Sequence, residues 1–222
     1  ARDGRKSGGR KWIGGTWTAA AFLAADYGEK PIARHKLYVG GLGTNEATKE
    51  PELRVTALTE GGEDRLARYP LGPRASQAEV GGLAARDGLL AIAFRTANEI
   101  LVTNLVSGAW ARLPVESPRG LVFTGEYELA VLSGRKLVKL PIRRKIAAAT
   151  LVAAGLDDPY GLAMDAKGDF YVTDRGSSHQ VKVFSAAGRP VRTIGHAGKP
   201  TVGRYDELHM NNPAELCVDS RG

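Results

Sequence analysis

The residues with chemistry to offer are four histidines, one cysteine, several loop aspartates and three arginines that recur at related places. His35, His179, His196 and His209 include no pair at the spacing that would let two imidazoles share a metal on one helix face. Cys217 is the sole cysteine. It cannot form an internal disulfide, and its place on an apolar segment reads as a buried, inert thiol. Asp165-Ala166-Lys167-Gly168-Asp169 looks superficially like a calcium loop but lacks the further acidic ligands and terminal glutamate. There is no Gly-x-Ser-x-Gly elbow, and Gly195–Thr201 has neither the spacing nor the following helix of a phosphate-binding loop. We therefore assign no catalytic residue, no metal and no cofactor to this span. What remains is electrostatic recognition by the arginines, and its meaning depends on the elements that hold them.

Those elements repeat. Leu23, Leu83, Leu121, Leu162 and Leu216 each open a short apolar run, at spacings of 60, 38, 41 and 54 residues. A four-stranded propeller blade needs roughly 40 to 50 residues, so two intervals fit bare blades and two fit blades with a long loop. The added residues fall at Gly40–Glu52, where the glycine run Gly40-Gly41-Leu42-Gly43 reads as loop, and at Gly195–Arg204. Strands are expected at Lys36–Gly40, Leu53–Thr59 and Arg65–Pro70, then at Leu89–Phe94, Glu99–Leu105 and Ala109–Pro114. Later ones are expected at Glu128–Leu132, Lys136–Pro141, Ala147–Ala153, Phe170–Thr173, Gln180–Ser185 and Val191–Ile194. Leu53–Thr59 and Gln180–Phe184 alternate with period two. Leu89-Leu90-Ala91-Ile92-Ala93-Phe94 is apolar throughout, as befits a strand covered on both faces. Ile146–Gly155 has helix-forming alanines and a glycine stop, but the repeat register places a fourth blade strand there.

The chain is 43% hydrophobic and 25% charged over 222 residues, ordinary for a globular protein, and it has no run long enough to span a bilayer as a helix. Its net charge is +7, but residues 1–12 carry +4 of it. That excess reads as a basic, Gly-rich arm or linker over 1–13, and it lacks the interleaved aromatics that would stack bases. Residues 14–222 then form a partial propeller. Its blades are expected over approximately 14–75, 76–116, 117–155 and 156–210, with the start of another at 211–222. Asp219-Ser220-Arg221-Gly222 matches the turn Asp165-Ala166-Lys167-Gly168, which leads into a strand, so the chain reads as a fragment of a larger polypeptide.

Asp158–Gly195 resembles an NHL repeat, the blade unit of six-bladed NHL-type β-propellers. The residues that carry the likeness are Pro159, Gly161, Asp165, Gly168, Tyr171-Val172, Asp174, Val181-Lys182-Val183-Phe184 and Gly188. The resemblance implies an all-β fold of about four four-stranded blades plus the first strand of another, from a larger and bacterial protein. Bacterial propellers of this type are often exported. Asp165, Gly168, Asp174 and Asp219 read as structural turn residues, the aspartates accepting local amide bonds and the glycine tolerating positive φ. Some six-bladed relatives are lyases or lactonase-like hydrolases with a central metal. In the lyases a ligand histidine follows the blade-opening proline, whereas here Arg119, Tyr160 and Ala214 stand in those places.

In such a framework function gathers on loops. Arg95, Arg135 and Arg175 follow the second strand of successive blades, and with His179 they are the candidate partner-binding residues of one cationic rim. The expected function is a non-catalytic interaction or scaffold module that binds a protein or an acidic ligand. Two alternatives stay open: a metal-dependent lyase or lactonase-like hydrolase, and RNA binding through the rim.

Overall fold

The computed structural model of the protein describes residues 22–25, 37–59, 62–70, 79–143, 147–203 and 206–218. Among these there are sixteen strands and no helix. They form four separate sheets, each a four-stranded antiparallel meander. The first contains β1 (Phe22–Ala25), β2 (Leu37–Thr44), β3 (Pro51–Thr59) and β4 (Gly62–Pro70). The second contains β5 (Val80–Arg86), β6 (Leu89–Phe94), β7 (Glu99–Asn104) and β8 (Trp110–Pro114). The third runs from β9 (Pro118–Gly125) through β10 (Glu128–Ser133) and β11 (Lys136–Pro141) to β12 (Ala149–Val152). The fourth has β13 (Pro159–Met164), β14 (Phe170–Asp174), β15 (Gln180–Phe184) and β16 (Pro190–Ile194).

Period-two geometry explains how the sheets stack. In β6 all six residues are buried. Leu90, Ile92 and Phe94 join Tyr38, Leu53 and Val55 of the first sheet. The intervening Leu89, Ala91 and Ala93 join Leu121, Phe123, Leu129 and Val131 of the third. The third sheet turns its other face, with Ala130, Leu132 and Leu137, onto Leu162, Phe170 and Val172 of the fourth. Successive sheets thus pack face to face in chain order, and only the middle strands are covered on both sides. The outer strands β8 and β16 are almost wholly exposed.

The inner strands β1, β5, β9 and β13 lie side by side, each against the next. Glycine permits this approach. A Cβ on Gly120 of β9 would stand 2.7 Å from Leu162 N and 2.9 Å from Tyr160 O, both backbone atoms of β13. Gly161 in turn lies against Ala214 and Glu215, so residues 213–218 continue the series beside β13. Their apolar residues Leu216 and Val218 cover Tyr171, Val181 and Val183, together with Met210.

Two local readings change. Gly40–Gly43 belong to β2, not to a loop, and they pair residue by residue with Val55, Arg54, Leu53 and Glu52 of β3. The turn itself is shorter and is shaped by Asn45, whose side-chain oxygen accepts from the amides of Ala47 and Thr48. The alanine run keeps the strand that the repeat register required, as β12. Cys217 is exposed, not buried. It alternates with Leu216 and Val218, and those two take the covered face.

A candidate binding rim at the inner-strand ends

The loops that follow β6, β10 and β14 are fixed by equivalent backbone bonds. Arg95 N donates to Glu79 O, Gly134 N to Ser117 O and Arg175 N to Asp158 O. Each acceptor directly precedes, or is the residue leading into, the inner strand of the same sheet, so all three loops lie at one end of the fold. Arg95 and Arg175 hold the same position. Arg135 falls one residue later, because only Gly134 and Arg135 separate β10 from β11.

The arginines then diverge in what they hold. Arg95 Nη1 pairs with both Glu79 carboxylate oxygens at 3.1–3.2 Å, within its own sheet and open to solvent. Arg135 crosses to the next sheet: its Nε donates to Leu156 O at 3.0 Å and its Nη2 to Asp157 Oδ1 at 2.8 Å. Its side chain stays 69% exposed. Arg175 also crosses, donating from Nε to Pro213 O at 3.1 Å. Its guanidinium lies 3.3 Å from the centre of the Tyr160 ring. Cation–π stacking of this kind fixes the guanidinium plane.

A fourth arginine, Arg119, was visible in sequence only as a residue standing where a metal-ligating histidine would be. Its Nη1 donates to Asp158 Oδ1 at 2.5 Å and to Pro159 O at 2.8 Å, and its guanidinium is 5.9 Å from the Tyr160 ring centre. Arg119 and Tyr160 occupy the middle position of Pro-x-Gly in β9 and β13. That equivalence was the available signal that they share a location.

Asp174 is fully buried. Its carboxylate accepts from the amides of Asp157 and Asp158 at 2.7–3.1 Å and from Lys182 Nζ at 2.5 Å. It thereby clamps the chain leading into β13. Lys182 also donates to Gly155 O at 2.6 Å. Asp165 shapes the β13–β14 hairpin by accepting from the amides of Lys167 and Asp169, both at 2.9 Å, and Gly168 completes the turn at φ +87°. Asp219 lies outside the described residues, as does His35. His179 is 2% exposed and in the left-handed region at φ +50°. Its Nδ1 accepts from Asn212 N at 3.0 Å, so this ring anchors the segment that follows β16 and offers little accessible surface.

The charges on the rim interlock. Asp157 is held below the ordinary carboxylate range first by the Ser177 amide, 2.8 Å away, and then by Arg135. Glu215 is shifted the other way: desolvation pushes its carboxyl up, and Arg175 only partly opposes this. The residue itself is exposed. His196 and His209 meet edge to face at 5.4 Å, with His209 Nδ1 2.7 Å from Asp206. Among the described residues no group of three histidine, cysteine or acidic side chains could hold a metal ion. No helix among them is long and apolar enough to cross a membrane.

Radially packed four-stranded meanders with adjacent inner strands define the protein as a β-propeller. The NHL repeat family model matches residues 156–184, within the fourth sheet and the segment leading into it. No curated protein matches the sequence. Similar solved structures include a Bacteroides thetaiotaomicron structural genomics protein of unknown function, with a TM-score of 0.64 and 15% identity. That match covers 90% of this chain and 54% of the other, so the present chain spans about half its length. A chain of a nidogen/laminin complex matches with a TM-score of 0.62 and 16% identity, over 90% of this chain and 68% of its own. YCF48 bound to D1 peptide matches with a TM-score of 0.57 and 14% identity, over 85% and 56%. At these identities the likeness is one of fold.

Proposed function

We propose that this chain is a non-catalytic interaction or scaffold module that takes a protein partner or an acidic ligand on the rim bearing Arg95, Arg135 and Arg175. One observation carries the reading: loops from three successive sheets are fixed by equivalent backbone bonds at one end, and each presents an arginine there. Rigid strands supporting variable loops suit recognition, because little ordering cost is added on binding. The nidogen/laminin and YCF48–D1 peptide structures, both complexes with protein or peptide partners, support it by analogy of fold. Against RNA as the preferred ligand stand Glu79, Asp157 and Asp158, which pair with the rim arginines and dilute the positive field.

The test is fluorescence anisotropy with a labelled glutamate-rich peptide, a neutral peptide of equal length and a single-stranded RNA. Each charge-assisted bond lost costs about 1.5–3 kcal/mol, or about tenfold to 150-fold in affinity. The reading therefore expects selective binding of the acidic peptide and a large loss on combining Arg95→Glu, Arg135→Glu and Arg175→Glu. Unchanged affinity in that triple variant would remove the rim from consideration. Tighter RNA binding with a steep salt slope would favour the nucleic-acid alternative. Stoichiometric zinc or calcium in the purified protein would favour the enzyme alternative.

A further inference from the structure

We propose that His196 and His209 form a two-imidazole site for a late first-row divalent cation, with Asp206 as the carboxylate that orients His209. The site lies on the connection from β16 to residues 213–218 and does not depend on the peptide reading above. The two histidines are far apart in sequence, but the fold brings them side by side. An isolated parallel bridge pairs residue 196 with residue 209, and His196 N donates to Leu208 O at 2.7 Å. Residues paired across such a bridge project from the same face. Their ring centres are 5.4 Å apart, at an interplanar angle of 86°. Two imidazoles on one tetrahedral ion, with metal–nitrogen bonds of about 2.0–2.1 Å, have ring centres about 5 Å apart. The backbone therefore already sets the spacing that shared ligation needs, and the rings reach it by side-chain rotation.

The hydrogen bonds fix which nitrogen is free. Asp206 Oδ2 lies 2.7 Å from His209 Nδ1. An ionised carboxylate only accepts, so Nδ1 carries the proton and, in the neutral ring, Nε2 keeps its lone pair. Asp206 is held ionised chiefly by the Leu208 amide, 3.0 Å from its Oδ1. A carboxylate behind a histidine in this way sets the tautomer and orientation that a metal-bound imidazole needs. With both oxygens so engaged Asp206 is not a third ligand, and water fills the remaining positions on the ion. His196 is exposed, and its ring nitrogens have no hydrogen-bond partner among the described residues. The His209 side chain is 27% exposed, so a solvated ion can reach the pair. Imidazole donors select Ni2+, Cu2+ or Zn2+, whereas Ca2+ and Mg2+ take oxygen ligands.

The experiment titrates the full chain with Ni2+ at neutral pH, following heat by calorimetry and the imidazole resonances of the histidines by NMR. One ion should bind per chain and broaden His196 and His209 first, while Ca2+ at the same concentration leaves both unchanged. His196→Gln and His209→Gln should each abolish this binding, and Asp206→Asn should weaken it about 10–100-fold. His35→Gln is the control and should bind as wild type does. The broadening is read on the wild-type chain, so the site can be refuted without any variant. Absence of Ni2+ binding, or broadening at His35 or His179 in place of the pair, would overturn it. Equal nickel stoichiometry in the double variant His196→Gln with His209→Gln would place the metal elsewhere in the chain and overturn it too.

Discussion

Gly120→Ala probes the packing that makes the sheets a propeller. A methyl group there would meet Leu162 N at 2.7 Å, Tyr160 O at 2.9 Å and Gly161 C at 3.0 Å. All three are backbone atoms of the neighbouring inner strand, so no flexible side chain can swing away, and β9 and β13 must separate. Overpacking of this kind costs about 1–3 kcal/mol, and a rigid backbone contact belongs at the upper end. Reduced freedom of the unfolded chain returns about 0.4–1 kcal/mol. The expected net loss is about 2 kcal/mol. With a urea m-value of about 2–3 kcal/mol/M, the unfolding midpoint should fall by about 0.7–1 M. Gly125→Ala, in the same strand, is the control: its nearest neighbour would be Glu128 Cβ at an ordinary 3.9 Å. It should change stability by no more than about 0.5 kcal/mol. Equal midpoints for the two variants would refute the close approach of the inner strands.

Three further outcomes follow from the buried and charged contacts. Asp174→Ala leaves the Lys182 ammonium without its buried partner and should cost about 3–5 kcal/mol in urea unfolding, whereas a loss below about 1 kcal/mol would show that the clamp is dispensable. His179→Ala removes the acceptor of Asn212 N–H, so amide exchange at Asn212 should accelerate several-fold, for a part-buried bond of about 0.5–1.5 kcal/mol, while β6 and β10 stay protected. On acidification, Glu128 (held low chiefly by the Thr124 hydroxyl) and Asp157 (held low chiefly by the Ser177 amide) contribute stability that is present above their unfolded values and lost as pH falls through their depressed folded values. Glu215, whose pKa is raised by desolvation, has the opposite sign, and its contribution is lost as pH rises through the folded value. Glu128→Gln and Asp157→Asn should therefore flatten the acid limb of a midpoint-against-pH curve, and Glu215→Gln should raise the midpoint at neutral pH. Curves that superimpose on wild type would contradict these assignments.

Much of this architecture was legible because each local choice agrees with the repeat. The uninterrupted apolar run Leu89–Phe94 implied a strand covered on both faces, and β6 divides its residues between two clusters for that reason. Ile146–Gly155 shows register outweighing propensity, since four of its residues form β12 and none of the described ones is helical. Gly40–Gly43 failed the other way. Glycines carry loop chemistry locally, and only long-range pairing with Leu53, Arg54 and Val55 makes them strand. Cys217 was misjudged because an apolar segment at the flank of a sheet covers one face and not two. At the rim, repeat arithmetic located Arg95, Arg135 and Arg175, yet Arg135 and Arg175 also hold groups outside their own sheets. Leu156 O, Asp157, Tyr160 and Pro213 O have no sequence signal tying them to those arginines. His179 looked like a loop ligand because loop histidines are commonly exposed, whereas its left-handed backbone turns the ring onto Asn212.

Backbone NOEs across the inner strands give the most direct test of the radial arrangement on which the rim depends. Gly81 to Arg119, Gly120 to Leu162 and Gly161 to Glu215 should all show them, since each pair is brought together only where successive inner strands lie side by side. Absence of all three, with cross-peaks instead between the outer strands β8 and β12, would contradict it.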